Sequence, residues 1–418
     1  MSAGSAKNYD VLVVGGGPAG TSASIHLAMR GAQVALVERE RFPRAKLCGE
    51  FISPECLAHF ARLGVLEEMR ASGGARVGET IFFARSGRRV GVPSAWFGTG
   101  MPGDGEAGAL GLSRAEMDHR LLLRARAVGV EVLEEAQVSG LLFGNEGRRV
   151  VGVRVEHRGA ESELRAAITI DATGRARVLA RRVEAASKTN GANGANEMRA
   201  GGASSPSKRM PLVAFKAHLE NASGGEGVCE IYFYRGGYGG LSRVEKGLSN
   251  LCFIVAARDV RARASDAERV MREIVMSNAR AAETLRGARV SSEWLAVALE
   301  SFGRRELIPC EGLLAVGDAA SFIDPFTGSG MLMALESGEL AGACVVRALP
   351  GLRTGGGFTP LAADYRARYR ERFAPRLRVC SWLRRAAFAP RVATEAAIFA
   401  LGVSERVRRA LAHATRPA

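Results

Sequence analysis

The 418-residue chain contains no run of about 18 uncharged apolar residues, so no bilayer-spanning helix is expected. Its first apolar stretch, residues 9–14, is too short for a secretory signal and runs directly into glycines. Aromatic residues make up only 6%, and the three tryptophans, Trp96, Trp294 and Trp382, stand far apart. No stacking platform for nucleic acid is visible, and nucleic acid is not an expected partner. The seven cysteines (48, 56, 229, 252, 310, 344 and 380) are odd in number and form no Cys-x-x-Cys pair. That argues against a disulfide frame or a zinc site and predicts reduced thiols in a cytoplasmic protein, with no metal. Acidic residues are in deficit, 43 against 58 Lys and Arg, a net charge of +15. Such an excess reflects either an arginine-rich coding background or attraction to an anion: nucleic acid, anionic lipid or an anionic cofactor.

Glycine, by contrast, is abundant. The 51 glycines are about 12% of the chain, where about 7% is ordinary. They show no three-residue period, which excludes collagen, and a hydrophobic fraction of 47% excludes whole-chain disorder. The first glycines have a clear purpose. Residues 10–14 read as a buried strand, and Gly15-Gly-Gly17-Pro-Ala19-Gly20 follows as G-x-G-x-x-G, opening a helix. The first glycine permits a tight turn, the second lets backbone approach a pyrophosphate, and the third lets helix and strand pack closely. Glu38 ends the next strand 18 residues after Gly20, where a carboxylate can accept hydrogen bonds from an adenosine ribose. Together these features predict a dinucleotide site.

The second half of the chain selects the dinucleotide. Residues 313–316 read as another buried strand, ending in Gly317-Asp318, followed by a glycine turn that reaches Gly330 and opens a long helix expected over 326–349. An Asp at a strand end can hold a ribityl chain, and a helix N-terminus can stabilise negative charge on a reduced flavin ring. A simple nicotinamide dehydrogenase has no need of this second element, so FAD is the expected cofactor.

With these motifs in hand, the chain resembles the flavoprotein superfamily of para-hydroxybenzoate hydroxylase, and more closely its geranylgeranyl reductase-like branch. The resemblance rests on the cradle with Glu38, on Cys48-Gly49-Glu50, on Arg114 with Asp118, on Asp171-Ala-Thr-Gly174, and on Gly317-Asp318 through Asp324-Pro325 to Gly328-Ser-Gly330. It implies an α/β fold: a Rossmann-type FAD-binding domain with a parallel sheet in three layers, an inserted, mostly antiparallel β substrate domain, and a helical C-terminal tail. It further implies that Glu38 binds the adenosine ribose, that the Cys48-Gly49 backbone lies beside the flavin, and that Arg114 reaches the ribityl and phosphate region. Val138 would offer backbone to the adenine, Asp318 would hold the ribityl–pyrophosphate region, and Gly330-Met331 would present N–H groups to the pyrimidine end of the ring. The chain departs from the branch at one motif. Where prenyl reductases carry Tyr-x-Trp-x-Phe-Pro, this sequence reads Tyr238-Gly-Gly240-Leu-Ser242-Arg243, and the Trp-x-Trp-x-Ile-Pro of related halogenases is missing.

Two reactions on a bulky hydrophobic small molecule are open. In the first and favoured one, NAD(P)H reduces FAD and oxygen then hydroxylates an aromatic or polyketide-like substrate. In the alternative, a C=C bond of a prenyl-type chain is reduced, with Cys48 or Glu50 as candidate proton donors. A plain loop role, paired with Arg44 or Lys46, is the competing reading of Glu50. A FAD-binding protein without turnover is the third reading.

The expected organisation is FAD-binding segments at 1–75, 111–184 and 306–350, substrate-domain segments at 76–110 and 211–305, a flexible insertion at 185–210, and a basic helical tail at 351–418. Residues 361–418 hold 13 arginines against 4 acids, a net of +9, with apolar residues between them. Such helices either cover the cofactor domain with a solvated outer face or lie on an anionic membrane at its inner surface.

Overall fold

The computed structural model describes residues 7–97, 108–144, 147–191, 211–299 and 302–415. From residue 192 on, the expected flexible insertion lies outside the described residues.

Short apolar runs without charge must bury both faces, and here they do so in a parallel sheet. Val11 pairs with Val34, and Val14 with Val37. On its other edge the strand Lys7–Val14 pairs in parallel with Ala160–Asp171, which sets Val14 beside Asp171. The parallel strands run in the order Glu131–Leu133, Val34–Val37, Lys7–Val14, Ala160–Asp171, Leu313–Ala315. Val150–His157 and Ala136–Phe143 extend the sheet in antiparallel fashion from the N-terminal half of Ala160–Asp171.

Alternate residues of these strands serve different layers. Val11, Val13, Leu36, Ile168 and Ile170 pack against the helices Pro18–Ala28, Arg114–Ala127 and Gly330–Arg353. Leu12, Val14, Ala35 and Val37 face the other way, onto Val153 and Val155 of the antiparallel pair and Leu179 and Val183 of the helix Val178–Gly191.

Small residues let two helices meet backbone to backbone. A Cβ on Gly338 would lie 2.2 Å from the Ala19 carbonyl oxygen. The Ser22 hydroxyl donates to the Leu335 carbonyl at 2.8 Å across the same crossing. The close approach fixes where the two helices begin relative to each other. The second begins at Gly330 and not at 326. Asp324 caps a short turn at Pro325–Thr327, and Gly328 then takes a left-handed φ of +63° that interrupts any helix.

The second sheet has eight strands, of which Leu212–Glu220, Ser249–Ala256, Gly237–Arg243, Val228–Tyr234, Glu79–Phe83 and Arg89–Pro93 lie side by side. All neighbours are antiparallel except Val228–Tyr234 with Glu79–Phe83. One face, with Phe215, Tyr232, Leu251 and Phe253, packs on short helices at Ala267–Glu273 and Ala279–Leu285. These two helices are separate segments and do not run on as one. Asn278 caps the second helix, and its side-chain amide is tied to the carbonyls of Phe83, Ala84 and Phe233 at 3.0–3.1 Å, which breaks the run. The opposite face of the sheet, with Ala214, Phe233, Tyr238 and Ile254, looks back at the first domain.

The tail has two parts. The helix Phe358–Ala387 buries Tyr365, Tyr369 and Phe373 in the first core, and the Tyr365 hydroxyl donates to the Ala315 carbonyl at 2.7 Å. The helices Arg391–Val403 and Glu405–Ala414 cross to the second sheet instead. There Ile398 is buried among Phe82, Phe233, Tyr238 and Ile254.

Candidate active site

The parallel strands deliver their C-terminal ends to one edge, the position where open α/β sheets bind ligands. Gly15 sits there with φ +108°, and a Cβ on it would lie 2.4 Å from the Ala172 carbonyl oxygen. Gly20 packs one layer deeper: its Cβ would lie 1.9 Å from the Gly15 carbonyl oxygen. Gly17 has nothing nearer than the Arg114 guanidinium at 3.8 Å, so its outer side is free for a ligand. Glu38 closes the cradle. Its Oε2 accepts from the Gly16 N–H at 2.6 Å and its Oε1 from the Glu40 N–H at 3.0 Å.

Arg114 is held by its neighbour four residues on. Its Nε and Nη2 donate to the two oxygens of fully buried Asp118 at 2.9 and 2.7 Å. Arg44 joins the same carboxylate at 3.2 Å. One buried acid thus positions two guanidinium groups at the mouth of the cradle.

Glu50 is fully buried, with φ +52°. Its partners come from the second sheet, on the strand Leu212–Glu220. Lys216 Nζ lies at 2.6 Å and His218 Nε2 at 2.7 Å, while the Arg114 N–H donates to it at 2.8 Å. The Glu50 pairing considered from the sequence, with Arg44 or Lys46, is therefore replaced by Lys216 and His218. These residues alternate with Ala217 along one strand, so both point to the same face. Burial would raise the Glu50 carboxyl. The His218 hydrogen bond and the Lys216 charge outweigh it, and the group is held below its ordinary range, as a carboxylate. Cys48 stands beside it. Its sulfur accepts from the Glu50 N–H at 3.4 Å, and its carbonyl accepts from the Asn250 amide at 3.1 Å.

The cradle, Arg44, Arg114, Cys48 and Glu50 border one cavity of about 1170 Å³. Gly15, Gly17, Ala19, Glu38, Cys48, Gly49, Glu50, Arg114, Val138, Asp318, Gly330 and Met331 line it; Gly20 lies beneath. One end is polar and cationic, with Arg44, Lys46, Arg114 and Arg175 around Asp318. Withdrawal from bulk water raises the Asp318 carboxyl, opposed by the charges of Arg175, Arg114 and Lys46. Lys46 is pushed down by the same withdrawal and then by the neighbouring arginines. The other end is apolar, walled by Phe82, Phe233 and Ile254 of the sheet and by Leu383, Ile398 and Leu401 of the tail. At that end the Tyr238 hydroxyl donates to Asp324, whose second oxygen lies 3.2 Å from Arg384 Nε.

Both long helices point uncapped N-termini into the polar end, since neither Gly17 nor Ser329 offers a side-chain cap to its helix. Free N–H groups, cationic side chains and a glycine cradle fit an anionic dinucleotide. The family model described as FAD binding domain matches residues 8–341, most of the chain. The chain belongs to this FAD-binding family. It is of the para-hydroxybenzoate hydroxylase type and is an FAD-dependent oxidoreductase. Over 353 residues it is 28% identical to a digeranylgeranylglycerophospholipid reductase of Methanosarcina mazei, covering 82% of this chain and 76% of that one. In fold it is similar to a geranylgeranyl bacteriochlorophyll reductase-like protein of Thermoplasma acidophilum, with TM-score 0.76 and 19% identity over 97% of this chain and 96% of that one. The flavin-dependent brominase Bmp2 is similar at TM-score 0.76 and 19% identity, over 98% and 93%.

Several residues of the site escaped the sequence reading. Lys216, His218 and Asn250 lie on strands far along the chain from Cys48, and only sheet register brings them there. Arg175 follows the Asp-Ala-Thr-Gly motif and could have been suspected from it. Tyr238 and Asp324 stood in motifs already noted, but their meeting with each other and with Arg384 joins three separate segments that no local signal links.

Proposed function

We propose that this FAD-dependent oxidoreductase reduces a C=C bond in a prenyl-type apolar chain, using NAD(P)H as electron donor. The observation that carries the proposal is the cavity itself: a cationic end suited to the cofactor opens into a chamber walled largely by hydrocarbon side chains, among them Phe82, Phe233, Ile254, Leu383, Ile398 and Leu401. The extended similarity to a prenyl-lipid reductase supports the same reading. Bound FAD would supply the redox equivalents to the substrate carbon. The residues of this chain bind, orient, exclude water and supply the proton.

In this reading Glu38 receives the adenosine ribose and Val138 the adenine edge. Gly15, Gly17, Ala19 and Gly20 shape the pyrophosphate turn, with Arg114 beside it. Asp318 holds the ribityl region, and Gly330 and Met331 face the ring. Glu50 is an unsuitable proton donor, because Lys216 and His218 keep it ionised. Its task is to anchor the loop that carries Gly49 and Cys48, and the Cys48 thiol is the donor.

Hydroxylation of an aromatic or polyketide-like compound is the second reading. It is favoured by one feature, the glycine at 240, which lines the cavity where prenyl reductases carry tryptophan and so widens the chamber. Product mass separates the two. Incubation with NADPH and a polyprenyl substrate under argon is expected to add two hydrogens per reduced bond, with Cys48→Ala slowing turnover and sparing flavin content. Turnover only in air, with one oxygen atom incorporated, would overturn the reductase reading.

A further inference from the structure

The helix Arg391–Val403 is apolar on two opposite sides. Thr394, Ile398 and Leu401 face inward and line the cavity. Val392, Phe399 and Val403 stand at i, i+7 and i+11, which is a single stripe about half a turn away from that inner side. They are 80%, 61% and 74% exposed. A helix with two apolar sides belongs between two apolar surroundings, and among the described residues the protein covers only the inner one; Glu395, beside the outer stripe, is tied to Ser86 at 2.6 and 2.9 Å. The following helix, Glu405–Ala414, has the same arrangement with charge in place of hydrocarbon. Arg408, Leu411 and Ala412 line the cavity, while Arg406, Arg409 and His413 are exposed on the opposite side. Because both helices turn their inner sides to one cavity, their outer sides point away from it together. Arg88 stacks over Phe399 at 5.7 Å and adds a cation to the edge of the stripe, and Trp382, 72% exposed, stands on the preceding helix.

We propose that this outer face docks on an anionic membrane surface, with the Val392–Phe399–Val403 stripe in the acyl boundary and Arg406, Arg409 and Arg88 at the headgroups. The occupant follows from two demands made at once. The stripe calls for hydrocarbon and the arginines for negative charge, and an anionic bilayer supplies both within one turn of helix. A second copy of the chain would bring a like-charged face against this one and be repelled. The geometry also separates a lipid phase from the apolar chamber by one helix thickness, so a hydrocarbon substrate can pass between them without crossing water. That last step rests on the reductase reading; the docking does not.

The test is flotation of the full-length, flavin-loaded protein with vesicles of phosphatidylcholine alone and of phosphatidylcholine mixed with phosphatidylglycerol. Wild type is expected to float with the anionic vesicles, to stay behind with the neutral ones, and to be released by high salt. The double variants F399S/V403S and R406E/R409E alter only outward side chains. Each is expected to reduce the bound fraction about tenfold while bound-flavin absorbance and far-ultraviolet circular dichroism stay unchanged. Flotation equal to wild type in both variants overturns the proposal, as does absence of wild-type binding. A dimer in analytical ultracentrifugation, or a stoichiometric complex with an acidic carrier protein, would also overturn it if the same substitutions abolish that assembly and wild type ignores vesicles. Failure to reduce prenyl substrates leaves the flotation result intact, so the two readings fail separately.

Discussion

Glu50 shows how one side chain joins the two halves of the molecule. It extends from the loop beside the glycine cradle and is gripped by Lys216 and His218 of the second sheet. A carboxylate with no exposed surface keeps its charge only while those partners remain. Replacing Lys216 with Met is expected to destabilise the protein by about 3–5 kcal/mol, the usual cost of stranding one member of a buried pair. Urea unfolding followed by circular dichroism measures it. Because the folded Glu50 titrates below its unfolded value, its contribution is complete at neutral pH and is lost as pH falls. The acid limb of the stability profile is therefore expected to move to higher pH in Lys216→Met.

Among the elements, the crossing of Pro18–Ala28 with Gly330–Arg353 does the most to assemble the site, since it brings two bare helix N-termini to one cavity. A second tie holds the longer helix on its far side. Glu339 pairs with His59 at 2.8 Å and Arg62 at 3.0 Å, joining it to the helix Pro54–Leu63. Burial opposes ionisation there, but the His59 and Arg62 hydrogen bonds prevail and lower the carboxyl from 4.5 to about 2. A depressed acid stabilises above its unfolded value and loses that effect as pH drops toward the folded one. Thermal stability is thus expected to decline between pH 4.5 and about 2 in wild type. Glu339→Gln is expected to be less stable at neutral pH and to show a shallower decline; calorimetry across that interval decides.

For the whole molecule, the tail determines what the cavity is. Its first helix packs into the core of the parallel sheet, and its last two close the chamber against the second sheet. Ile398 lies at the centre of that closure, 4% exposed. Ile398→Ala is expected to cost about 2–4 kcal/mol, at the middle of the range for such truncations. It should also raise KM for an apolar substrate more than it lowers bound flavin, because the cofactor end lies in the other core. Among the described residues no helix is long and apolar enough to cross a membrane.

Much of the fold was legible before any coordinates. A cradle glycine, a strand-end acid and a buried apolar run are local features, since each depends on backbone geometry or burial within a few residues. The tight turn at Gly15 and the buried strand that leads into Glu38 could therefore be anticipated. The helix expected from 326 begins at Gly330, because the Asp324-capped turn and the left-handed Gly328 override helical periodicity. The same limit applies to the site. Cys48 and Glu50 were candidates from their motif, and both line the cavity. That Glu50 is a tethered carboxylate depended on the register of a strand more than 160 residues away. The composition could not say whether the basic tail was a cover or a membrane element. The fold makes it a cover on the inside and leaves an apolar, cationic surface on the outside. Local chemistry is written in neighbouring residues, whereas partnership between distant residues exists only once sheets and helices have packed.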